Sequence, residues 1–417
     1  MVRSNAPLLA RVGASIAFMA CAQVSASEAF DLHGVLRYVE ASNPELAAMA
    51  HVRAGARAET ITARAYPNPE LDVGTGAWRS RIGPATGSVG SIGISQLIEL
   101  PGVRSARAEV SEAGLAAATA QAETVRLQVG YQARIAFYEL MRRQEEERIA
   151  GETVQLLEQM REKVRARVAV GEAPRFELVR AEAEGLAAQN AAVSATLRVD
   201  EARGVLRRLS GNTLPAVFSA QGSLPAIADV PPYGVLTPQM LTGHPALRVL
   251  GAERERAQSR LELERSLRNP QPTLRAIGSQ DPESSQAIIG ISLPLPLWNR
   301  REGQIAQAQA GIALATAQIE AQRAQLLREL DSAYARLGVT QRQISTFENG
   351  LLRSAEAGLR VAEAAYRAGE RSFLEVLDAQ RTLRSVRSDY NQALFDRNAA
   401  WLDIERLTAR DPFRATD

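Results

Sequence analysis

The longest regular pattern in this sequence is a seven-residue repeat of apolar positions near the C-terminus. Ten positions from Val376 to Leu407 alternate in steps of three and four residues, and nine of them are apolar or aromatic. This repeat predicts a coiled-coil helix, because a straight helix would rotate the stripe away from its partner. The residues before Gly369 carry a matching stripe, so the proline-free stretch 297–411 predicts a long helical hairpin that reverses at Gly369.

A second regularity is that the two halves of the chain share landmarks at an offset of roughly 200 residues, which indicates two copies of one structural unit. The matched pairs are Asn43-Pro44 with His244-Pro245, Asn68-Pro69 with Asn269-Pro270, Gly93-Ile94-Ser95 with Gly290-Ile291-Ser292, Ala136-Phe137 with Ala333-Tyr334, and Val170-Gly171-Glu172 with Ala368-Gly369-Glu370. We assign residues 27–210 to the first repeat and 239–410 to the second. Residues 211–238, rich in proline and glycine, form a connector that could hold a short helix, and 411–417 form a C-terminal tail.

Each repeat is predicted to contain a helix, a β-hairpin and a helical hairpin, in that order. The opening helices cover about 44–66 and 245–268 and end at an Asn-Pro, because proline disfavours helix in the residue before it. The β-hairpins cover 69–100 and 271–296. In the first repeat a long helix from Val103 to Val170 turns at Gly171 and returns from Pro174 to about Leu209.

The predicted strands alternate with a period of two, which gives each an aliphatic face and a face of glycine, serine and aspartate. Strands of about 9 to 11 residues with this alternation are typical of the wall of an outer-membrane β-barrel. Four strands cannot enclose a lumen, and unpaired strand edges are not tolerated in lipid, so a barrel would require several copies of the chain. The alternative is a small soluble β-layer that caps a helical bundle.

The N-terminus reads as a secretory signal peptide, residues 1–26. Arg3 and Arg11 are followed by the apolar run 12–22 and by Val24-Ser25-Ala26, which predicts cleavage near Ala26 and an exported protein. Lipidation at Cys21, the only cysteine, is the alternative. A mature chain without cysteine forms no disulfide bonds.

Composition narrows the possible functions. The 417 residues are 46% hydrophobic but only 5% aromatic, which suits long alanine-rich helices. Without Arg3 and Arg11 the chain has 47 basic and 47 acidic residues, so net charge gives no support for a nucleic-acid partner.

Three sequence signatures carry a resemblance to a known family. They are Gln96-Leu-Ile-Glu-Leu-Pro-Gly102, Leu293-Pro-Leu-Pro-Leu-Trp-Asn-Arg300 with Gly303-Gln-Ile-Ala306, and Tyr366-Arg-Ala-Gly-Glu-Arg-Ser372 with Leu377-Asp-Ala-Gln-Arg-Thr-Leu383. From residue 31 to 408 the chain resembles the TolC-like outer-membrane efflux proteins. The two strand-to-helix signatures look most like the CzcC branch, which serves heavy-metal efflux.

The resemblance implies a mainly α fold with a small β part. Long helical hairpins would form a periplasmic α-barrel, and four strands per chain would contribute to a twelve-stranded transmembrane β-barrel in a homotrimer. It further implies an outer-membrane channel in a Gram-negative envelope, in contact with outer-membrane lipid, a periplasmic adaptor (membrane fusion) protein and an inner-membrane RND pump. The implied function is a passive exit duct for cations such as cobalt, zinc, cadmium or copper. Drug efflux, type I protein secretion and a periplasmic coiled-coil scaffold are the alternatives.

The resemblance also assigns site residues by position. Tyr366 and Arg371 match residues that tie neighbouring hairpins together at a periplasmic gate, with Glu177 as their acidic partner, and Glu375 and Asp378 match an acidic constriction. The two tips, Gly171 with Glu172 and Gly369 with Glu370, would dock the adaptor and pump. Glu375 and Asp378 are three residues apart and share a helix face, so a trimer would stack two carboxylate rings that favour cations.

Enzyme chemistry and cofactor binding find no support in the sequence. The three histidines, His33, His51 and His244, are far apart, and no nucleophile with a plausible base or phosphate-binding loop is present. No soft-ligand cluster for a resident metal is seen either. We therefore predict no catalytic residues, no metal site and no cofactor, as expected of a passive duct.

Overall fold

The computed structural model describes residues 28–225, 227 and 230–414. The predicted signal peptide and Cys21 lie outside the described residues, as do the last three residues of the tail. Among the described residues, no helix combines the length and apolar character needed to cross a membrane.

Long helices dominate the chain, and the two repeats share one order of elements. The first comprises strand β1 (Glu28–Phe30), helices α1 (Leu32–Ser42) and α2 (Pro44–Arg64), strands β2 (Glu70–Arg79) and β3 (Thr86–Leu97), and helices α3 (Val103–Ala169) and α4 (Arg175–Leu209). The second comprises strand β4 (Phe218–Ala220), helices α5 (Tyr233–Gly243) and α6 (Pro245–Ser266), strands β5 (Thr273–Gln280) and β6 (Ser285–Ser292), helix α7 (Glu302–Thr346), a π-helical turn (Phe347–Leu351), and helices α8 (Leu352–Arg367) and α9 (Phe373–Leu407).

Some boundaries differ from those expected. Pro174 is the N-cap residue of α4 and precedes its first helical turn. β6 ends at Ser292, before Pro294, because a proline cannot donate to the ladder, whereas the expected hairpin ran on to residue 296. Helix α5 starts in the proposed connector and continues past it to Gly243.

The Asn43-Pro44 and His244-Pro245 landmarks begin equivalent helices. The Asn43 Oδ1 atom accepts hydrogen bonds from the backbone N–H groups of Glu45 and Leu46 at 2.9 and 3.1 Å. His244 does the same for α6, since its Nδ1 atom accepts from the N–H of Ala246 at 3.2 Å. Each side chain satisfies a donor that the first turn of a helix leaves free.

The four long strands form one antiparallel sheet in the order β2-β3-β5-β6. Leu71 pairs with Ile94 and Val73 with Ile92, and the register places residues of β5 and β6 with the same character on that side. One face is therefore aliphatic, and its exposed members are Leu71, Val73, Ile92, Ile94, Leu274, Ile289 and Ile291. The opposite face is mostly glycine, serine and other polar residues, as the alternation predicted.

Two layers of helices continue from this sheet. In the layer next to the sheet, α2 packs on α3, α3 on α6, and α6 on α7. In the layer towards the hairpin turns, α4 packs on α3, α3 on α9, and α9 on α8. Elements of the first repeat therefore lie at one end of the sheet and of both helix layers, and elements of the second repeat lie at the other end.

The predicted seam of α9 is an interior surface. Seven of its ten positions are buried, and Ala379, Tyr390 and Arg397 are half-buried. Near the turn, Val376 packs with Tyr366 and with residues of α3, while Leu383 and Val386 pack with Ala355 of α8. The heptad pattern was therefore a correct guide to the buried face of this helix.

The π-helical turn between α7 and α8 distinguishes the second repeat from the first. Its Gly350 has non-helical backbone angles, with φ of 158° and ψ of −27°, whereas α3 runs unbroken over 67 residues. The second repeat has one residue more than the first between the matched Ala-aromatic and Gly-Glu landmarks. One extra residue accommodated in a helix produces a π turn.

Candidate functional site

The two hairpin turns have the same backbone structure. Gly171 and Gly369 both have φ of 78°, a conformation that favours glycine. At the first turn the N–H groups of Gly171 and Glu172 donate to the carbonyl groups of Val168 and Arg167 at 3.1 and 2.9 Å. The second turn repeats this pattern from Gly369 and Glu370 to Tyr366 and Ala365 at 3.1 and 3.0 Å. Both are Schellman motifs, which satisfy the last carbonyl groups of α3 and α8.

Arg167 ties the two turns together. Its Nη1 atom donates to the carbonyl oxygen of Tyr366 at 3.2 Å, and its guanidinium lies 4.9 Å from the centre of the Tyr366 ring. Its Nε atom is also 3.7 Å from the Glu172 carboxylate. The two turns are therefore level with each other, at one end of the molecule.

Tyr366 and Glu177, which the resemblance paired, are neighbours within one chain. Tyr366 is 2% exposed and packs against Phe373, with 6.0 Å between the ring centres and the two rings tilted by 56°. Burial raises the pKa of the Tyr366 hydroxyl, the nearby Glu177 carboxylate raises it further, and Arg167 opposes the shift. The Tyr366 hydroxyl and the Glu177 Oε2 atom are buried without a hydrogen-bond partner in the described chain.

Of the other three predicted gate residues, Arg371 precedes the N-cap residue of α9, and Glu375 and Asp378 lie in the first turns of that helix. The Arg371 Nη1 atom donates to the Glu375 Oε2 atom at 2.9 Å, so in this chain Arg371 contacts the first turn of α9 rather than Glu177. Asp378 is exposed and lies 3.9 Å from the Nη1 atom of Arg381. Each candidate constriction carboxylate thus has a guanidinium group about one turn away.

Sequence reasoning missed two residues that join the hairpins here. Arg381 of α9 forms a short ion pair with Glu184 of α4, across a sequence separation of 197 residues. Arg167, described above, is the other contact of this kind. A signal existed for Arg167, since basic side chains are favoured in the last turn of a helix, but nothing local marks Glu184 as the partner of Arg381.

Ion pairs hold the two strand-to-helix junctions against neighbouring helices. The side chain of Glu99 is 7% exposed and forms a bidentate pair with Arg107, at 2.5 and 3.1 Å. Arg107 also donates to the carbonyl groups of Ala63 and Ala65. In the second repeat Arg301 pairs with Glu264 of α6. The apolar residues that follow β6 remain exposed in the single chain, with Trp298 at 94%.

No group of three or more histidine, cysteine, aspartate or glutamate side chains within the described ranges could hold a metal ion. The features collected at the turns are instead exposed glycine turns, ion pairs and carboxylates.

Comparisons with known proteins agree on one family. A family model described as outer membrane efflux protein matches residues 35–212 and 236–410. The cobalt-zinc-cadmium resistance protein CzcC of Cupriavidus metallidurans is 29% identical over 381 residues, covering 91% of this chain and 90% of that protein. The nickel-cobalt-cadmium resistance protein NccC of Alcaligenes xylosoxydans is 26% identical, covering 79% of this chain and 76% of that protein.

A solved structure matches the whole architecture. The outer-membrane channel OprN superposes with a TM-score of 0.79 over 92% of this chain and 91% of its own, at 18% sequence identity. At that identity the likeness shows the fold. It confirms the predicted fold class of long helical hairpins joined to a small set of strands.

Proposed function

The chain belongs to the outer membrane efflux protein family, and from this membership we propose that it is the exit duct of a tripartite, RND-type efflux system for heavy-metal cations. The observation that carries the proposal is the family match to both repeats. Family members are passive outer-membrane channels, so this chain is a transport protein and not an enzyme. It lies in the outer membrane of a Gram-negative envelope and extends into the periplasm.

Support for a homotrimer comes from the free edges of the sheet. β2 and β6 are the end strands, and each has one row of backbone groups unpaired in the single chain. Because these two strands run in opposite directions, β6 of one copy and β2 of the next can continue the antiparallel ladder. Three copies would supply twelve strands and leave no open edge in lipid.

Partners are proposed at the other end of the molecule. The tips formed by Gly171 with Glu172 and Gly369 with Glu370 are exposed and level with each other. They suit contact with a periplasmic adaptor, which would in turn connect the duct to an inner-membrane pump. The aliphatic face of the sheet suits outer-membrane lipid.

The proposed cargo follows from the relatives, whose names assign them to cobalt, zinc, cadmium and nickel resistance. A duct needs no tight metal site, since tight binding would hinder release. Deleting the gene should therefore sensitise the host to these cations, and the wild-type gene on a plasmid should restore growth. Growth inhibition by cobalt, zinc, cadmium, nickel, copper and a drug panel measures this. Sensitivity to drugs alone would overturn the metal assignment.

We further propose that the level tips form a gate. Tyr366 with Glu177 would brace the second hairpin, Arg371 would hold the turn of α9 through Glu375, and Asp378 with Glu375 would line the constriction. Support comes from the clustering of all five residues near the two turns. The additional contact between Arg381 and Glu184 joins α9 to α4 and belongs to the same cluster.

Neutralising the constriction tests this gate. The variant Glu375→Gln/Asp378→Asn should reduce block of single-channel current by Co²⁺ about tenfold, because two carboxylate rings no longer concentrate cations at the opening. The neighbouring guanidinium groups of Arg371 and Arg381 reduce the negative electrostatic potential of the two carboxylates. The difference between the variant and the wild type should grow at low ionic strength, because salt then screens this potential less. Planar-bilayer recordings with Co²⁺ on the periplasmic side measure the block. Glu370→Gln, which removes one charge at the turn, is the control, and equal block in all three proteins would refute the assignment.

A further inference from the structure

The first β-hairpin extends beyond the second at the end of the sheet that lies away from the long helices. Gln280, the last residue of β5, pairs with Gly90 of β3, whereas β2 and β3 go on pairing as far as Arg79 and Thr86. Residues 76–79 and 86–89, four from each strand, therefore project past the second hairpin by about 13 Å. Arg79 ends β2, Arg81 follows it in the turn, and both are exposed.

Arg79 lies on the aliphatic face of the sheet. Side chains alternate between the two faces of a strand, so Arg79 is on the same side as Leu71 and Val73, eight and six residues before it. A guanidinium on the lipid-facing side of a barrel strand is costly at the middle of a bilayer and is tolerated near its surface. Arg79 is therefore placed where the aliphatic face meets the membrane surface.

The distance from Arg79 to the other end of the aliphatic face agrees with this depth. The aliphatic row nearest the helices contains Leu274 and Ile291, at the level of Gln96 and two residues below the level of Leu71. Eight residues plus two separate Arg79 from this row, or about 33 Å along the strands. With a strand tilt of about 40°, the height is about 25 Å, which is the height of the apolar band of an outer-membrane barrel.

The acidic residues at this end of the sheet are on the opposite face. Gly87 pairs with Trp78 and faces the glycine- and serine-rich side, and a side chain built at Gly87 would overlap with Pro282. The turn between β5 and β6 therefore folds over the glycine- and serine-rich side, and this turn contains Asp281 and Glu283. Arg79 and the two carboxylates of this turn are consequently on different sides of the sheet.

The guanidinium groups of Arg79 and Arg81 are available to an external ligand. The ion pairs among the described residues include neither of them. At the surface of a bilayer, the groups that lie beside a lipid-facing side chain are lipid headgroups. A planar guanidinium binds phosphate oxygens through two parallel, charge-assisted hydrogen bonds. Charge and position together indicate an anionic headgroup that carries phosphate.

We propose that Arg79 and Arg81 bind the phosphate groups of lipids in the outer leaflet of the outer membrane. The inference rests on the location given by the proposed function, in which the helices extend into the periplasm and the opposite end of the sheet faces the outside of the cell. It assigns a ligand to two residues that the passage of cargo does not require. A trimer would repeat the pair around the barrel and hold a ring of phosphate-bearing lipids.

Lipid binding to the purified trimer tests the proposal. Lipid A with two phosphate groups is titrated into the detergent-solubilised protein, and bound lipid is counted by native mass spectrometry. Arg79→Gln should bind it about fivefold more weakly than the wild type, and Arg79→Gln/Arg81→Gln about twenty-five-fold, because each arginine near an anionic lipid surface contributes about fivefold in affinity. Arg79→Lys/Arg81→Lys keeps the charge and should retain most of the binding.

The matched control is Arg57→Gln/Arg275→Gln. It removes the same charge from α2 and from the glycine- and serine-rich face of β5, and it should bind lipid A like the wild type. Phosphatidylcholine, which has no net charge, should bind equally to all variants. Equal lipid A affinities of the wild type and Arg79→Gln/Arg81→Gln would overturn the proposal, as would an equal loss in the control. Displacement of lipid A by millimolar inorganic phosphate would mean that the arginines bind a free anion instead.

Labelling of intact cells tests the position of the turn. Ile82, beside Arg81, is 100% exposed, so Ile82→Cys should react with a maleimide that does not cross membranes. Leu71→Cys should stay unlabelled because lipid covers it. Labelling of Ile82→Cys only after lysis would overturn the outer-leaflet assignment.

The outcomes separate this inference from the proposed function. If the wild-type chain is an outer-membrane trimer whose lipid A binding does not depend on Arg79 and Arg81, the lipid site is wrong while the channel proposal stands. If the wild-type chain is a monomer outside the outer membrane, the proposed function itself fails.

Discussion

Replacing Glu405 with alanine should lower the free energy of unfolding by about 3–5 kcal/mol, because it leaves a buried guanidinium without its counter-charge. Arg134 of α3 and Glu405 of α9 are 9% and 4% exposed, and their Nη1 and Oε2 atoms are 2.7 Å apart. Arg410, whose Nη1 atom is 3.7 Å from Glu405, would lose the same partner. Thermal unfolding of the purified protein in detergent, followed by tryptophan fluorescence, measures the loss.

Two further variants distinguish the stability cost of an unpaired buried charge from the cost of losing an ion-pair contact. The double variant Arg134→Met/Glu405→Leu removes both buried charges and should be close to wild type in stability, since the one cation left without Glu405 is Arg410, whose side chain is exposed to solvent. The exposed pair formed by Glu145 and Arg148, at 2.5 Å, provides the matched comparison. Glu145→Ala should cost less than about 1 kcal/mol. A Glu405→Ala loss no larger than that of Glu145→Ala would mean that the Arg134 site is effectively solvated.

The sequence predicted those parts of this fold that depend on local periodicity. The seven-residue spacing located the buried face of α9, and the two-residue alternation located the aliphatic face of β2 and β3. Glycine at equivalent places of the two repeats correctly identified both turns, since Gly171 and Gly369 adopt the same positive φ. In each case the residues that interact are close in sequence or recur at a fixed step.

Other features depend on distant residues and have no local signature. Helix α1 is short, and β1 and β4 are three-residue strands that pair in parallel across the chain, too short to show a period. The Arg381–Glu184 contact and the burial of Arg134 against Glu405 join residues far apart in sequence. The π turn had a signal in the one-residue difference between the repeats, but only the backbone shows that Gly350 takes up the extra residue.

Helix α4 illustrates a different limit. Apolar residues recur at steps of three and four from Phe176 to Leu197, but periodicity alone does not say whether this face has a partner in the same chain. The three-dimensional structure shows that α3 covers the opposite face of α4, and that Phe176, Leu186 and Leu197 are exposed in the single chain.

The second large effect is a loss of folding stability as the pH falls. Burial of His244, with the nearby Arg406, lowers the pKa of its imidazole from 6.5 to about 4, and Arg248 adds to the shift while Glu329 opposes it. The folded chain therefore holds this side chain neutral, with the Nδ1 atom accepting the helix-capping hydrogen bond. The unfolded chain binds the proton first as the pH falls below 6.5. Stability is consequently complete above that pH and declines down to about 4, where the loss levels off at about 3 kcal/mol.

The repeat itself supplies the variant that tests this acid sensitivity. Asn43 caps the equivalent helix without a titratable group, so His244→Asn should keep the cap and remove the proton-binding site. Midpoints of thermal unfolding measured from pH 7.5 to 4 should fall for both proteins as carboxylates titrate, but more steeply for the wild type between 6.5 and 4. His244→Ala, which loses the cap, should be less stable than His244→Asn at every pH. Parallel curves for the wild type and His244→Asn would show that His244 does not resist protonation in the folded chain.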